Sequence, residues 1–311
     1  MRAARDDGAI SAALASNAVA ASVRSSRYFT MSGVERHSPF AFAYSPDAGR
    51  VPGPTTAPSQ RVENDVVGAA CGVMDQMASA CGEPGKLLRL LCQPAEIEGN
   101  IEIPAGFKFL GLGSGVRHAV SGSDYTSVRI GAFMGFRILA EIVGVRSERA
   151  GERVVFEFPS WGRYLANVTP SEWNCLLAQV PESMRGGDFL RTYGGVSDTV
   201  TKVDPHRTYA VRQPTAHPIL EHHRVRTFAA LLPHAHEPGV AELLGELMYQ
   251  SHASYTACGL GCAATDAIVG WARGMGPAAG VYGAKITGGG SGGAVAVFLT
   301  DRFLANHKLV I

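Results

Sequence analysis

Residues 66–82 read VVGAACGVMDQMASACG. The stretch opens on small residues and then turns amphipathic. Met74, Met77, Ala78 and Cys81 recur at i, i+3, i+4 and i+7, the spacing of one buried helix face. Asp75 stands off that stripe, three residues after Gly72 and four before Ser79. The pattern puts a carboxylate in the first turn of a helix, near a glycine that lets a ligand approach the backbone. A helix N-terminus favours negative charge, so this carboxylate is expected to stay ionised. Compensation of the helix dipole is the plainer account of an acid in a first turn, and spacing alone does not separate the two.

The surrounding chain bounds what such a site can serve. With 311 residues there is material for one large domain or two ordinary ones. Lys and Arg total 28 against 27 Asp and Glu, which gives no field to attract nucleic acid or an anionic membrane. The six cysteines form no C-x-x-C pair. Cys71, Cys81, Cys92, Cys258 and Cys262 stand among apolar or small residues and read as buried thiols of a reducing compartment. No apolar run reaches membrane-spanning length, so a cytoplasmic protein is expected.

Along the chain, residues 1–60 have a texture of their own. They are rich in Ala and Ser and then broken by Pro39, Pro46, Pro52, Pro54 and Pro58. A disordered leader is expected, with a targeting segment as the alternative, although Asp6 and Asp7 count against targeting. From Arg61 the composition becomes globular. Residues 86–92, 95–103 and 107–112 read as strands, and the intervening Pro104-Ala105-Gly106 suggests antiparallel neighbours joined by short turns. Residues 124–143 carry a helical stripe of Val128, Ala132, Phe136, Leu139 and Val143. Residues 144–163 are charged and irregular and read as a bridge between domains. Helices are expected at 169–179, 182–192, 212–232, 240–258 and 264–274, and an apolar strand at 294–299. Strands and helices in runs, without regular alternation, give an α+β fold.

A second stretch carries chemistry of its own. Residues 288–293 read GGGSGG, and consecutive glycines expose N–H groups that can wrap an anion, a flexible hairpin turn being the alternative. No Gly-Lys-Ser/Thr follows and a strand comes next, so it is neither a P-loop nor a dinucleotide fingerprint. Residues 114–129, SGVRHAVSGSDYTSVR, set Arg117 and His118 in a polar stretch just before a helix. His217, Glu221 and Arg224 share a helix face by spacing, and the last two can pair, which reads as structural. The His222-His223 and His234/His236 pairs have no carboxylate or Cys to complete a set, so no metal site is expected from them.

CGVMDQMASACGE at 71–83 resembles the central motif of the galactokinase branch of the GHMP sugar kinases. KITGGGSGG at 285–293 resembles the third signature of that family, and S-x-x-R-H ahead of Tyr125 is similar to a stretch its sugar kinases carry. The resemblance covers residues 61–299. It implies a partial N-terminal ribosomal-protein-S5-like domain over 61–150 and a C-terminal ferredoxin-like α/β sandwich over 151–311. It also implies an ATP-dependent sugar 1-kinase of the L-arabinose or galactose type, with ATP and Mg²⁺ as cofactors and a sugar and a nucleotide as its small-molecule partners. In that reading Asp75 is catalytic at the anomeric hydroxyl, while Gly72, Tyr125 and Arg117 bind the sugar. Gly288, Gly289, Gly290, Ser291 and Gly292 then lie beside the phosphates. Two upstream family motifs, a sugar grip of Glu-His-x-Asp type and a G-L-S-S-S-A phosphate loop, do not occur in this chain; GAISAA at 8–13 is a faint echo of the second. A non-catalytic sugar-binding relative and a truncated kinase fragment therefore stand as alternatives.

Overall fold

The structure, a computed structural model, describes residues 72, 74–92, 96–116, 123–151, 153–157, 161–162 and 164–307. The expected leader over 1–60 lies outside the described residues, as do Cys71, Arg117 and His118.

The sheet forms where the sequence is most apolar. Strand β9 (Ala294–Thr300) reads AVAVFLT, and Val295, Val297, Phe298 and Leu299 are all fully buried. A strand buried on both faces belongs in the middle of a sheet. β9 accordingly lies between β3 (Phe107–Gly113) and β8 (Val281–Ile286), antiparallel to both. Phe107 faces Thr300 and Gly113 faces Ala294, while Ile286 faces Val295. Side chains alternate across the pleat. Val295, Val297 and Leu299 pack with Ile268, Val269 and Ala272 of α7 (Ala263–Ala279) and Phe303 of α8 (Asp301–Asn306). On the other side Phe298, Phe107 and Phe109 meet Leu244 and Met248 of α6 (Val240–Ala257) and Phe228 of α5 (Arg212–Leu231).

A second core gathers around α2 (Ser123–Ile142). Its Met134, Ile138 and Leu139 are buried with Trp173 of α3 (Pro170–Leu176), Phe189 of α4 (Gly186–Tyr193) and Ile219 of α5. Gly131 and Gly135, one turn apart on α2, make this packing close. A Cβ on Gly135 would lie 1.6 Å from Thr215 Oγ1, and one on Gly131 would lie 2.1 Å from the Ala210 carbonyl at the end of β7 (Thr208–Ala210). β7 pairs with β6 (Ser183–Arg185). Helix α3 opens on a capping box in which Thr169 and Glu172 bond each other reciprocally.

Several expectations are corrected. β1 (Lys86–Leu91) and β2 (Glu96–Glu102) form the expected antiparallel pair, but β3 leaves it and pairs with β9. Phe107, Leu110 and Leu112 need apolar cover that β2, reading EIEGNIE, does not supply, and the turn closed by Phe107 N–H on Pro104 O redirects the chain. Residues 147–156 form a hairpin of β4 (Ser147–Ala150) and β5 (Arg153–Phe156), where a bridge was expected. Its charges face outward while Val154 and Phe156 enter the α2 core, a pattern too short to register as periodic. The β3–β9 pairing and the α2 core both join residues from either side of residue 150.

The amphipathic helix expected within 66–82, with Asp75 in its first turn, is described as α1 (Met74–Cys81), closed by Gly82 N–H on Ala78 O. Among the described residues of its stripe, Met77 is buried and Cys81 half-buried, whereas Met74 is 45% exposed and Ala78 is exposed, and α1 packs against β1. Cys258 is buried as expected, but Cys81 and Cys262 are half-buried and Cys92, in the turn after β1, is exposed. α7 runs beyond residue 274, through a kink at Gly276 (φ 65) before Pro277. Among the described residues no helix is long and apolar enough to cross a membrane.

Candidate functional site

The hairpin between β8 and β9 must turn within residues 287–293, and the sequence meets that demand with glycine. Backbone φ is positive at Gly288 (66), Gly290 (81), Gly292 (129) and Gly293 (75). Ser291 (φ 58) shares the left-handed region and is the one non-glycine to do so among the described residues. An L-residue held there costs about 1–2 kcal/mol, and such strain gathers where backbone geometry serves a ligand. Thr287 closes the neck, its N–H and its hydroxyl both donating to Ala294 O at 3.0 Å.

Two distant segments hold the loop from outside. Ser291 N–H donates to Leu260 O at 2.6 Å, in the turn between α6 and α7. Gly293 N–H donates to Val116 O at 3.1 Å and Ser114 N–H donates to Gly293 O at 2.8 Å. A Cβ on Gly290 would stand 2.5 Å from Leu260 O, and one on Gly292 2.9 Å from Val116 O. Those two glycines are thus required by packing against the chain's own backbone. Among the described residues the N–H groups of Gly288, Gly289 and Gly292 donate to no partner. Unspent backbone N–H groups in such a turn are of the kind that can bind an anion.

Behind the loop lies a knot of charge that joins α5, α6 and β8. Glu221 accepts Lys285 Nζ at 3.0 Å and the Ser251 hydroxyl at 2.5 Å through one oxygen, and Arg224 Nε at 2.7 Å through the other. Burial pushes the Glu221 carboxyl up, but the Lys285 ammonium and the Ser251 hydroxyl outweigh it and bring it down to about 2. Arg224 Nη2 is buried without a partner. One turn earlier on α5, His217 Nδ1 lies 2.7 Å from Ser254 Oγ. Burial holds His217 down at about 4, with Arg224 and Lys285 adding to burial against the pull of Glu221, so the ring is neutral near pH 7. The Tyr255 ring meets the His217 ring edge-on at 4.8 Å, Lys285 Nζ lies 5.9 Å from its centre, and its hydroxyl donates to Gly288 O at 2.9 Å.

The α6–α7 turn is braced by His252 Nε2 and Asp266 Oδ1, 3.0 Å apart. At the start of α7 burial raises the Cys262 thiol, yet hydrogen bonds from Thr265 and the helix backbone leave it below its usual value. Cys258, buried four residues earlier, is pushed up to about 12. On α2, Arg129 grips Asp198 through two bonds of 2.9 and 2.8 Å, one turn beyond Tyr125. Burial raises the Asp198 carboxyl, and Arg129 and Thr201 bring it below its usual range.

The site residues expected from sequence fall as follows. Asp75 occupies the first turn of α1, its side chain being outside the description, and Gly72 is exposed just before that helix. Tyr125 sits half-buried in the first turn of α2. The segment leading to Arg117 is brought against the glycine loop through Ser114 and Val116. Sequence reasoning had paired Glu221 with Arg224 but missed Lys285 and Tyr255 as members of the same knot. A lone lysine in the otherwise apolar strand VYGAKI was the available signal, because a charge there needs a partner.

Comparison with known proteins gives this geometry relatives. Residues 228–307 match the family described as GHMP kinases C terminal. Over 272 residues the chain is 43% identical to the L-arabinokinase of Arabidopsis thaliana, which covers 81% of this chain and 26% of that protein. It is 27% identical over 243 residues to the galactokinase of Streptomyces coelicolor, covering 77% of this chain and 49% of the relative. The crystal structure of Lactococcus lactis galactokinase complexed with galactose superposes with a TM-score of 0.57 at 17% identity, over 81% of this chain and 52% of that one. That likeness carries the fold. The chain spans about a quarter of the arabinokinase and about half of each of these two galactokinases. This α+β chain carries the GHMP kinase C-terminal domain over residues 228–307, and along most of its length it is similar to an L-arabinokinase and to galactokinases.

Proposed function

We propose that this chain forms the greater part of a sugar 1-kinase site that moves the γ-phosphoryl group of ATP to the anomeric hydroxyl of L-arabinose or galactose. The observation that carries the reading is the 43% identity to an L-arabinokinase over 272 residues, a match that covers 81% of this chain. Phosphoryl transfer depends mainly on positioning and on neutralising charge. Asp75, at the N-terminal end of α1, orients the sugar hydroxyl and takes its proton, with Gly72 leaving room for the ring. Tyr125 and Arg117 border the sugar. Gly288, Gly289, Gly290, Ser291 and Gly292 form the phosphate-side wall, and the unspent N–H groups of Gly288, Gly289 and Gly292 fit a polyanion. ATP, when bound, supplies the group transferred. Mg²⁺ accompanies the triphosphate in this reading, although no group of three His, Cys, Asp or Glu that could hold a metal ion occurs among the described residues. The near-neutral charge and the lack of a spanning helix among the described residues favour the cytoplasm.

The purified chain is given MgATP and a panel of sugars, and ADP release is followed. Release with L-arabinose or galactose alone, abolished by Asp75→Asn, is the expected outcome. Stabilisation by sugar without turnover would replace the kinase by a sugar-binding relative, and neither response would mark a fragment.

A further inference from the structure

We propose that Tyr255 is a positioning residue that fixes the orientation of the Gly288–Gly289 peptide, and so aims the Gly289 N–H into the phosphate side of the site. The inference rests on the reading of the glycine loop as the wall beside ATP. Tyr255 stands in the last turn of α6, and its hydroxyl donates to the carbonyl of Gly288, the first residue of the loop, at 2.9 Å. A peptide unit is planar and trans, so its C=O and N–H point in opposite directions. Holding the Gly288 carbonyl toward Tyr255 therefore turns the Gly289 N–H away from α6. That N–H donates to nothing among the described residues. Between two glycines the peptide plane would otherwise flip at little cost, because neither residue has a Cβ to bias it.

The tyrosine is itself held on two sides. Its ring meets the edge of His217 at 4.8 Å and an interplanar angle of 86°, and Lys285 Nζ lies 5.9 Å from the ring centre. Lys285 is three residues ahead of Gly288 in the same chain and is tied to Glu221, which Arg224 and Ser251 also hold. The neck at Thr287 and the bond from Ser291 N–H to Leu260 O fix the loop at either end, but neither touches the Gly288–Gly289 peptide. Tyr255 supplies the missing constraint.

The test is Tyr255→Phe in the full chain, which keeps the ring on His217 and deletes only the hydroxyl. Hydrogen exchange of the peptide spanning residues 286–294 is measured with and without ATP, alongside the KM for ATP and the KM for sugar. Loss of one neutral hydrogen bond predicts loop exchange faster by about three- to tenfold. The KM for ATP rises by a similar factor while the KM for sugar is unchanged, and ATP protects the loop less than in the wild type. Loop exchange equal to wild type overturns the latch. Faster exchange with ATP protection and KM both unchanged overturns the positioning role. A wild-type chain that neither releases ADP nor shows ATP protection overturns the phosphate-side reading instead, and exchange in the variant still decides whether the hydrogen bond exists.

Discussion

Ser291 occupies backbone that a glycine would adopt at less cost, and it does so inside a run of glycines. Replacing it is therefore an experiment on purpose as well as on stability. Ser291→Gly is expected to raise stability by about 1 kcal/mol from relief of the left-handed strain, less a few tenths for the freer unfolded chain, read as a higher melting temperature. If the hydroxyl serves the phosphate side, the same variant raises the KM for ATP. The neighbouring glycines serve two ends: Gly290 and Gly292 allow close packing on Leu260 and Val116, and the N–H groups of Gly288, Gly289 and Gly292 stay unspent among the described residues. The sequence shows a loop rich in N–H groups. Which of them remain free depends on Leu260 and Val116, which approach from other parts of the chain and leave no mark near the loop.

At the scale of elements, close contacts between backbones decide what can change. Gly245 of α6 meets β8 so closely that a Cβ would stand 2.0 Å from the Tyr282 carbonyl, with Gly283 on the facing strand. Gly245→Ala is expected to cost about 3 kcal/mol, since strand backbone cannot move aside as a side chain does. Gly270, exposed within α7 with nothing within 4 Å of a Cβ, provides the contrast. Gly270→Ala should gain up to about 1 kcal/mol. Urea midpoints of the two variants moving in opposite directions would check both. The long helix α2 was legible because its apolar stripe runs for several turns. The β4–β5 hairpin was not, as each strand is four residues long and the outward charges mask the inward Val154 and Phe156. The partner of β3 was equally hidden. Alternation in a strand reports which face is buried, never which strand lies alongside.

For the whole molecule, α5 is the shared spine. Ala216 and Ile219 in its first half belong to the α2 core, whereas Phe228 and Leu231 pack with the sheet. His217 and Glu221 stand near the crossing, and both titrate below their ordinary values. For His217, depressed from 6.5 to about 4, the unfolded chain binds the proton first, so stability falls as pH drops from 6.5 toward 4. For Glu221, depressed from 4.5 to about 2, the unfolded chain again binds first, so stability falls between 4.5 and 2. The His217 contribution amounts to about 3 kcal/mol over its window. Melting temperatures taken from pH 7 to pH 4 should fall more steeply for the wild type than for His217→Gln, which has no proton to gain. The family resemblance was legible from short motifs, because they carry chemistry that few other residue patterns supply. The charge knot was only half legible: Glu221 and Arg224 are neighbours on one helix, but Lys285 arrives from a strand far along the chain.

The pairing of β3 with β9 has a consequence for how the protein is made. Phe107 faces Thr300, so β3 leaves the ribosome long before its partner exists. At about 5–20 residues per second the wait is on the order of ten seconds or more. Throughout it, Phe107, Leu110 and Leu112 have no strand beside them, and neither face of the sheet can close. The central strand is synthesised after both of its neighbours, so the sheet core cannot assemble until residue 300 has emerged. A nascent chain stalled before residue 294 should remain sensitive to protease and bind chaperones, and one released a few residues after 300 should not.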